Sequence, residues 1–385
     1  MKRLVICFDG TWNRLDAPHP TNVLFTAESV LPVASDGTVQ VVYYDEGVGT
    51  DEGESITGGI FGAGLMRNLS QAYRFIIFNY APGDEIHIFG FSRGAYTARS
   101  FAGLLSTSGI VSRRNAGRAN EAIARYRNRQ STQSFIEAML AFRSECSPDV
   151  CVSDDEDHWR QHNIKDYTPG AATRLKVTYL GIWDTVGSLG IPGYIAFANA
   201  VNRGFQFHDV SLSAMVDRAR HAVAIDERKH DFAPTLWDNL DDLNARRGAD
   251  PAAPDAPYQQ VWFPGGHGSV GGGGERRGLS DGALLWIWEG ASQAGLEFDL
   301  GPGSRFSTLR PSHLEALENR ERSGGSFIAT ILDTLPKGDR LPGPLALHEV
   351  SSIARLRWHE PAPNLPEARP YRPQTLSRLA GDLGE

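Results

Sequence analysis

Residues 84–105 read DEIHIFGFSRGAYTARSFAGLL. The apolar, β-branched run Glu85–Phe89 predicts a buried strand. It passes straight into Gly90-Phe91-Ser92-Arg93-Gly94, and a helix is predicted to begin at once. Strand, Gly-x-Ser-x-Gly and helix in succession form the setting of a nucleophile elbow. The chemistry explains each residue type. Ser92 has to sit on a sharp, strained turn so that its hydroxyl projects above the sheet edge. Gly90 and Gly94 let neighbouring backbone come close without a Cβ clash. The first N–H groups of the following helix point at a developing oxyanion.

The pattern alone has little specificity in a chain with 41 glycines. A second match, Gly278-Leu279-Ser280-Asp281-Gly282, follows a Gly/Arg loop instead of a strand. Ser280 is therefore expected as the N-cap of a helix over DGALLWIWEGA. Context selects Ser92.

A serine nucleophile needs a base and an acid that orients it. On α/β-hydrolase folds these follow in the order Ser, acid, His, each on a loop after a strand. RLKVTYLGIWDTVGSLG (174–190) predicts a strand that ends in Asp184. YQQVWFPGGHGSVGGGG (258–274) predicts a strand, a short turn and then His267 in a Gly-rich loop. The competing acids Asp209, Asp217 and Asp226 are less well placed. His221 falls in DVSLSAMVDRARHAVAI, expected as an amphipathic helix with Leu212, Met215, Val216, Ala219 and Val223 on its stripe. His208 and His230 have no strand before them.

The chain opens with RLVICFDGTWN (3–13). An apolar run before Asp-Gly-Thr resembles the start of the haloacid-dehalogenase-like phosphatases. The position of their aspartate nucleophile is Cys7 here, so that chemistry is disfavoured. The run is expected instead as the first strand of the sheet, with its loop beside Ser92. Arg93 would give one oxyanion N–H and Gly10 or Thr11 the other, with Asp9 holding the loop in shape.

Strands are expected at Leu4–Phe8, Val39–Tyr44, Glu85–Phe89, Leu175–Trp183 and Tyr258–Phe263. Helical spacing lies between them, as in the stripe Leu65, Leu69, Tyr73, Ile76 and Ile77. The class is α/β, with an α/β-hydrolase-like, mainly parallel sheet covered on both faces. Residues 1–300 are expected to form the catalytic domain, with 113–170 as a helical cap insertion. Residues 301–385 would be a Pro-rich extension packing on it, partly disordered at its end. Gly47-Val48-Gly49 and Thr57–Leu65 read as Gly-rich loops near the strand edge.

The 385 residues are 41% hydrophobic and 22% charged, the balance of an ordinary globular protein. A net charge of −8 and the lack of a Lys/Arg-rich run argue against nucleic acid as the partner. Cys7, Cys146 and Cys151 cannot make a disulfide framework, and no metal-type Cys/His cluster surrounds them. No signal peptide or membrane span is visible, so a cytoplasmic protein is expected, or one exported without a signal peptide.

Together, CFDGTWN, PTNV, YYDEGVGT, AYRFIIFNY, GDEIHIFGFSRGAYTARSFAGLL, YLGIWDTVGSLG, HAVAIDERKHDFAPTLW and VWFPGGHGSVGGG resemble one α/β-hydrolase family. It is the family described as the catalytic domain of type VI secretion phospholipase effectors. The likeness runs from Lys2 to about Leu296. It implies a Ser-Asp-His hydrolase and maps the triad onto Ser92, Asp184 and His267. It also implies ester cleavage, of phospholipids in characterised members. The family's His loop usually reads His-x-Asp-Val-Gly-Gly, and Ser269 stands here in place of that Asp. No long apolar stripe for membrane docking is seen, so contact with a membrane would be peripheral. The expectation is a cofactor-free serine hydrolase of lipid or phospholipid esters. A small-ester or thioester hydrolase, and a non-catalytic binding protein on the same fold, stand as alternatives, and the oligomeric state is open.

Overall fold

The computed structural model describes residues 1–10, 15–47, 58–187, 211–319, 337–360 and 370–384, with backbone alone for 58–63 and 231. In chain order the first elements are β1 (Lys2–Phe8), α1 (Asn22–Ser29), β2 (Val39–Asp45), α2 (Gly58–Asn79), β3 (Glu85–Phe91) and α3 (Arg93–Ser108). Next come α4 (Ala119–Arg127), α5 (Gln133–Cys146), β4 (Val150–Cys151), α6 (Asp154–Asn163) and β5 (Thr173–Arg174). Then follow β6 (Tyr179–Trp183), β7 (Ala219–Ala224) and β8 (Tyr258–Phe263).

Six strands form one sheet in the order β2-β1-β3-β6-β7-β8, and every pairing is parallel. All their C-terminal ends therefore lie on one edge. The register aligns Phe8 with Gly90, Phe91 with Trp183, and Ala224 with Phe263. Alternation along β1 sends Leu4, Ile6 and Phe8 to one face and Val5 and Cys7 to the other. The first face is covered by α2 and α3, through Leu69, Tyr73, Ile76, Phe101 and Leu104. The second is covered by α1 and a helix at Gly278–Gln293, through Val23, Leu284, Ile287 and Trp288. The α/β-hydrolase-like, parallel architecture is thus present, with both faces closed.

Three local expectations are corrected. The stretch expected as an amphipathic helix around His221 contains β7. Its hydrophobic stripe is buried, but not as a helix. β7 lies inside the sheet with every residue buried, so the period-2 alternation of a half-exposed strand is missing. Its polar residues are satisfied laterally. Arg220 pairs with Glu289, and His221 accepts the Thr185 N–H and contacts Gln260. Ser280 is not an N-cap; it is inside the helix that begins at Gly278, and its hydroxyl donates back to the Arg277 carbonyl. From Gly58 onward the Gly-rich stretch to Leu65 is already the first part of α2. Val48, Gly49 and Thr57 lie outside the described residues.

Residues 113–170, expected as a cap, supply α4, α5 and α6. Ser108 donates to the Ala122 carbonyl, and Arg143 to that of Thr107. These contacts fall at the C-terminal end of α3, about 20 Å along the helix from Ser92. A buried carboxylate, Glu156, holds the segment together by pairing with Arg143 and Arg160 at 2.8 and 2.7 Å. The C-terminal segment forms a third core, in which Trp358, Leu376, Leu379 and Leu383 pack with Val223, Ile225 and Trp262.

The N-terminal turn of α3 lies against the end of β1. A Cβ on Gly94 would stand 2.2 Å from the Phe8 carbonyl oxygen and 2.4 Å from that of Asp9, both rigid backbone. Gly94→Ala should therefore lower the unfolding free energy by about 3 kcal/mol or more in urea denaturation. Gly117→Ala, where a Cβ meets nothing within 4 Å, should leave it unchanged or raise it by up to about 1 kcal/mol.

Candidate active site

Ser92 follows β3 and precedes α3 with φ 58° and ψ −123°. A side chain at positive φ is strained, by about 1–3 kcal/mol, and holds only where its surroundings leave no alternative. Here the Ser92 N–H is bound to the Trp183 carbonyl at 3.0 Å, which ties the turn to β6. Gly90 and Gly94 admit the close approach, since a Cβ on Gly90 would meet the Gly94 oxygen at 2.5 Å. The turn lifts the Ser92 hydroxyl toward His267.

His267 is the first residue of a short helix, His267–Gly271, reached by a tight turn after β8. Its Nε2 is 2.8 Å from Ser92 Oγ and its Nδ1 is 2.6 Å from Asp184 Oδ2. The ring is held between Phe91 and Phe232, at centroid distances of 4.6 and 4.8 Å. Asp184 follows β6 at φ 37°. Its N–H binds the Ala222 carbonyl at 2.7 Å, and its Oδ1 accepts the Ala224 N–H at 2.9 Å. The three side chains form a continuous relay, with Ser92 5% exposed and Asp184 not at all.

A carboxylate without solvent needs charge compensation. Arg340 provides it, with Nη1 2.6 Å from Oδ1 and Nη2 3.0 Å from Oδ2 of Asp184. Burial pushes the Asp184 carboxyl toward protonation. The Arg340 charge and the bonds from His267 and Arg340 overcome it and hold the carboxyl well below the usual carboxylate range. Sequence reasoning missed Arg340. It lies in the Pro-rich extension with no motif around it, 156 residues from its partner.

The His loop has further supports. Glu227 Oε2 accepts the His267 N–H at 3.2 Å, and Asp226 Oδ2 accepts the Gly265 N–H at 2.7 Å. Ser269 donates to the Leu317 carbonyl at 2.6 Å. The same carbonyl accepts the Gly266 N–H at 3.1 Å. A Cβ on Gly271 would fall inside the Phe91 ring, 2.0 Å from its nearest carbon, so the loop packs directly on the ring beneath His267.

On the other side of Ser92, Asp9 is buried at the end of β1. It accepts from the Gly10 N–H at 2.6 Å, the Thr21 hydroxyl at 2.5 Å and the Tyr44 hydroxyl at 2.7 Å. The Gly10 N–H is thus engaged by Asp9, and Thr11 lies outside the described residues. Arg93 opens α3, at the positive end of its dipole. Cys7 is fully buried, and burial, then the Asp9 charge, push its thiol far up, so it offers no nucleophile. Among the other candidates, Asp217 pairs with Arg247 and Lys176 away from the relay. His230 is in a 3₁₀ turn, and His208 and Asp209 lie outside the described residues.

A family model described as T6SS, phospholipase effector Tle1-like, catalytic domain matches residues 2–290. Uncharacterized protein YEL023C of Saccharomyces cerevisiae is 26% identical over 246 residues, covering 60% of this chain. The chain spans only 32% of that relative's length. Two solved structures are also similar. One is an uncharacterized protein from Pseudomonas aeruginosa, at 16% identity and TM-score 0.46, covering 81% of this chain and 49% of that one. The other is the Tle1 effector bound to the VgrG spike of the type 6 secretion system, at 15% identity and TM-score 0.42, covering 82% and 77%.

The depressed carboxyl of Asp184 gives stability a defined pH dependence. A group whose folded-state pKa lies below its unfolded value stabilises fully above the unfolded value and loses that contribution as pH falls through the folded one. Asp184→Asn should therefore differ most from the wild type above about pH 5, and the gap should narrow as pH falls below about 4. Urea denaturation over a pH series measures it.

Proposed function

The chain belongs to the Tle1-like phospholipase effector catalytic-domain family of type VI secretion, and on that premise we propose that it is a serine hydrolase of phospholipid carboxylic esters. The observation that carries this reading is the unbroken relay from Ser92 Oγ through the His267 ring to Asp184, at 2.8 and 2.6 Å. Ser92 Oγ attacks the acyl carbonyl carbon while its proton passes to His267 Nε2. The tetrahedral intermediate collapses, the ester C–O bond breaks, and His267 returns the proton to the leaving alcohol. Water, deprotonated by His267, then attacks the acyl-serine and releases the carboxylic acid. Asp184 accepts the Nδ1–H throughout, which fixes the tautomer and stabilises the imidazolium.

The oxyanion is received by the Arg93 N–H at the start of α3 and by the loop after β1. In this reading Asp9, which holds the Gly10 N–H, anchors that loop. Among the described residues no helix is long and apolar enough to cross a membrane.

Fluorophosphonate labelling of the purified protein, followed by mass spectrometry, should place an adduct on Ser92 and none on Ser92→Ala. Release of fatty acid from phosphatidylcholine or phosphatidylethanolamine vesicles should fall by about 10⁴-fold or more in that variant. Labelling with turnover of short-chain esters or acyl thioesters but not vesicles would favour the small-ester reading. No labelling of folded protein would favour a binding protein.

A further inference from the structure

We propose that Arg340 is a positioning residue of this reaction, a two-pronged clamp on Asp184 delivered by the C-terminal extension, which fixes the carboxylate that orients His267. The inference rests on the serine hydrolase reading of Ser92. The matched family model ends at residue 290, so the clamp is supplied from outside it.

The geometry is that of a two-pronged fork on a carboxylate. Oδ2 of Asp184 accepts at once from Arg340 Nη2 and from His267 Nδ1. The same guanidinium donates to the Ala224 carbonyl at 2.9 Å and the Phe232 carbonyl at 2.5 Å. It therefore joins the end of β6, the end of β7 and the turn whose Phe232 ring packs on His267. The Arg340 backbone is itself aligned on that region, since the Gly338 N–H binds the Arg228 carbonyl at 2.8 Å and Asp339 pairs with Arg228 at 3.1 Å. Lysine could neutralise the charge here but could not make both prongs and both carbonyl bonds.

Arg340 keeps the buried carboxyl ionised and fixed in place, so Oδ2 remains an acceptor and the His267 ring is held in one tautomer and orientation. The pair is buried on both sides, so solvent screens little of this.

Other charged and titratable groups also face His267. Glu227 lies at its N–H, and Lys229 stands over the Phe232 ring at 5.4 Å. Asp226 lies beneath the loop, Arg93 is next to Ser92, and His221 lies on the sheet side beyond Asp184 with Arg99 near it. All are unchanged in the comparison below, which isolates Arg340.

The test compares full-length wild type, Arg340→Lys and Arg340→Gln in two ways. The first is kcat and KM on a soluble ester. The second is the NMR resonance of the His267 Nδ1–H bonded to Asp184, in ¹⁵N-histidine-labelled protein carrying Ser92→Ala. In both variants kcat should fall about 10- to 100-fold at little-changed KM, and the Nδ1–H resonance should shift or broaden, because the fork is lost. Arg340→Lys keeps the charge, so wild-type kcat with an unshifted resonance there would overturn the proposal. If Arg340→Gln does not fold, Arg340→Lys decides alone. The NMR measurement needs no turnover. A wild type that neither labels nor cleaves esters would remove the hydrolase reading while the effect of Arg340 on the His267–Asp184 bond is still measured.

Discussion

A carboxylate without solvent, at the end of a central strand, is the group around which the catalytic edge is organised. Asp184 has to remain charged to accept from His267, and burial opposes that charge. The four hydrogen bonds that its carboxylate accepts among the described residues come from different parts of the chain: the Ala224 N–H of β7, the His267 loop after β8, and two prongs of Arg340. Register turns this into a folding requirement. β7 has to pair with β6 so that Ala222 lies opposite Trp183, or the Ala224 amide would not reach Oδ1. A strand slipped by one residue would leave the charge short of a donor, at a cost of several kcal/mol. The acid thus reinforces the strand order that places it.

The serine is placed by a steric constraint of a different kind. α3 starts directly on the end of β1, and only the absence of a Cβ at Gly94 permits contact with the Phe8 and Asp9 carbonyls. That contact, with the Ser92 N–H bound to Trp183, fixes the turn from both neighbouring strands. Asp9 then serves the same edge. It gathers the Gly10 N–H and two hydroxyls, one from α1's N-cap Thr21 and one from Tyr44 of β2. The opening Asp-Gly motif is accordingly a brace for the first loop, a role that its likeness to a phosphatase nucleophile loop would have hidden.

What could be read in the sequence follows from how local each feature is. The Ser92 turn lies within ten residues of one strand and one helix, so glycine spacing and an apolar run were enough to find it. Asp184 directly follows one strand visible as an apolar run, His267 lies a short turn beyond another, and a parallel sheet brings all such ends to one edge. β7 was hidden because it is covered on both faces and carries Arg220 and His221, whose partners Glu289 and Gln260 lie far along the chain. The engagement of the Gly10 N–H was hidden because sequence does not say where an amide points. Ser280 kept the elbow's glycines but lacked the strand, and helix geometry absorbed it.

Arg340 was beyond reach for a related reason, and it alters where the site ends. A single arginine in a Pro-rich segment has no periodicity or spacing to mark it. Yet the extension touches the catalytic edge at more than this point. The Leu317 carbonyl takes the Ser269 hydroxyl and the Gly266 N–H, and Asn319 donates to the Gly272 carbonyl at 3.2 Å. Ser269 can be understood in this light. A carboxylate at that position would face a carbonyl oxygen, which repels it, whereas a hydroxyl can donate. Carboxylates that support this loop come instead from Asp226 and Glu227, after β7. The contacts that hold Asp184 and the His267 loop extend to Leu317, Asn319 and Arg340, beyond residue 290 where the family match ends.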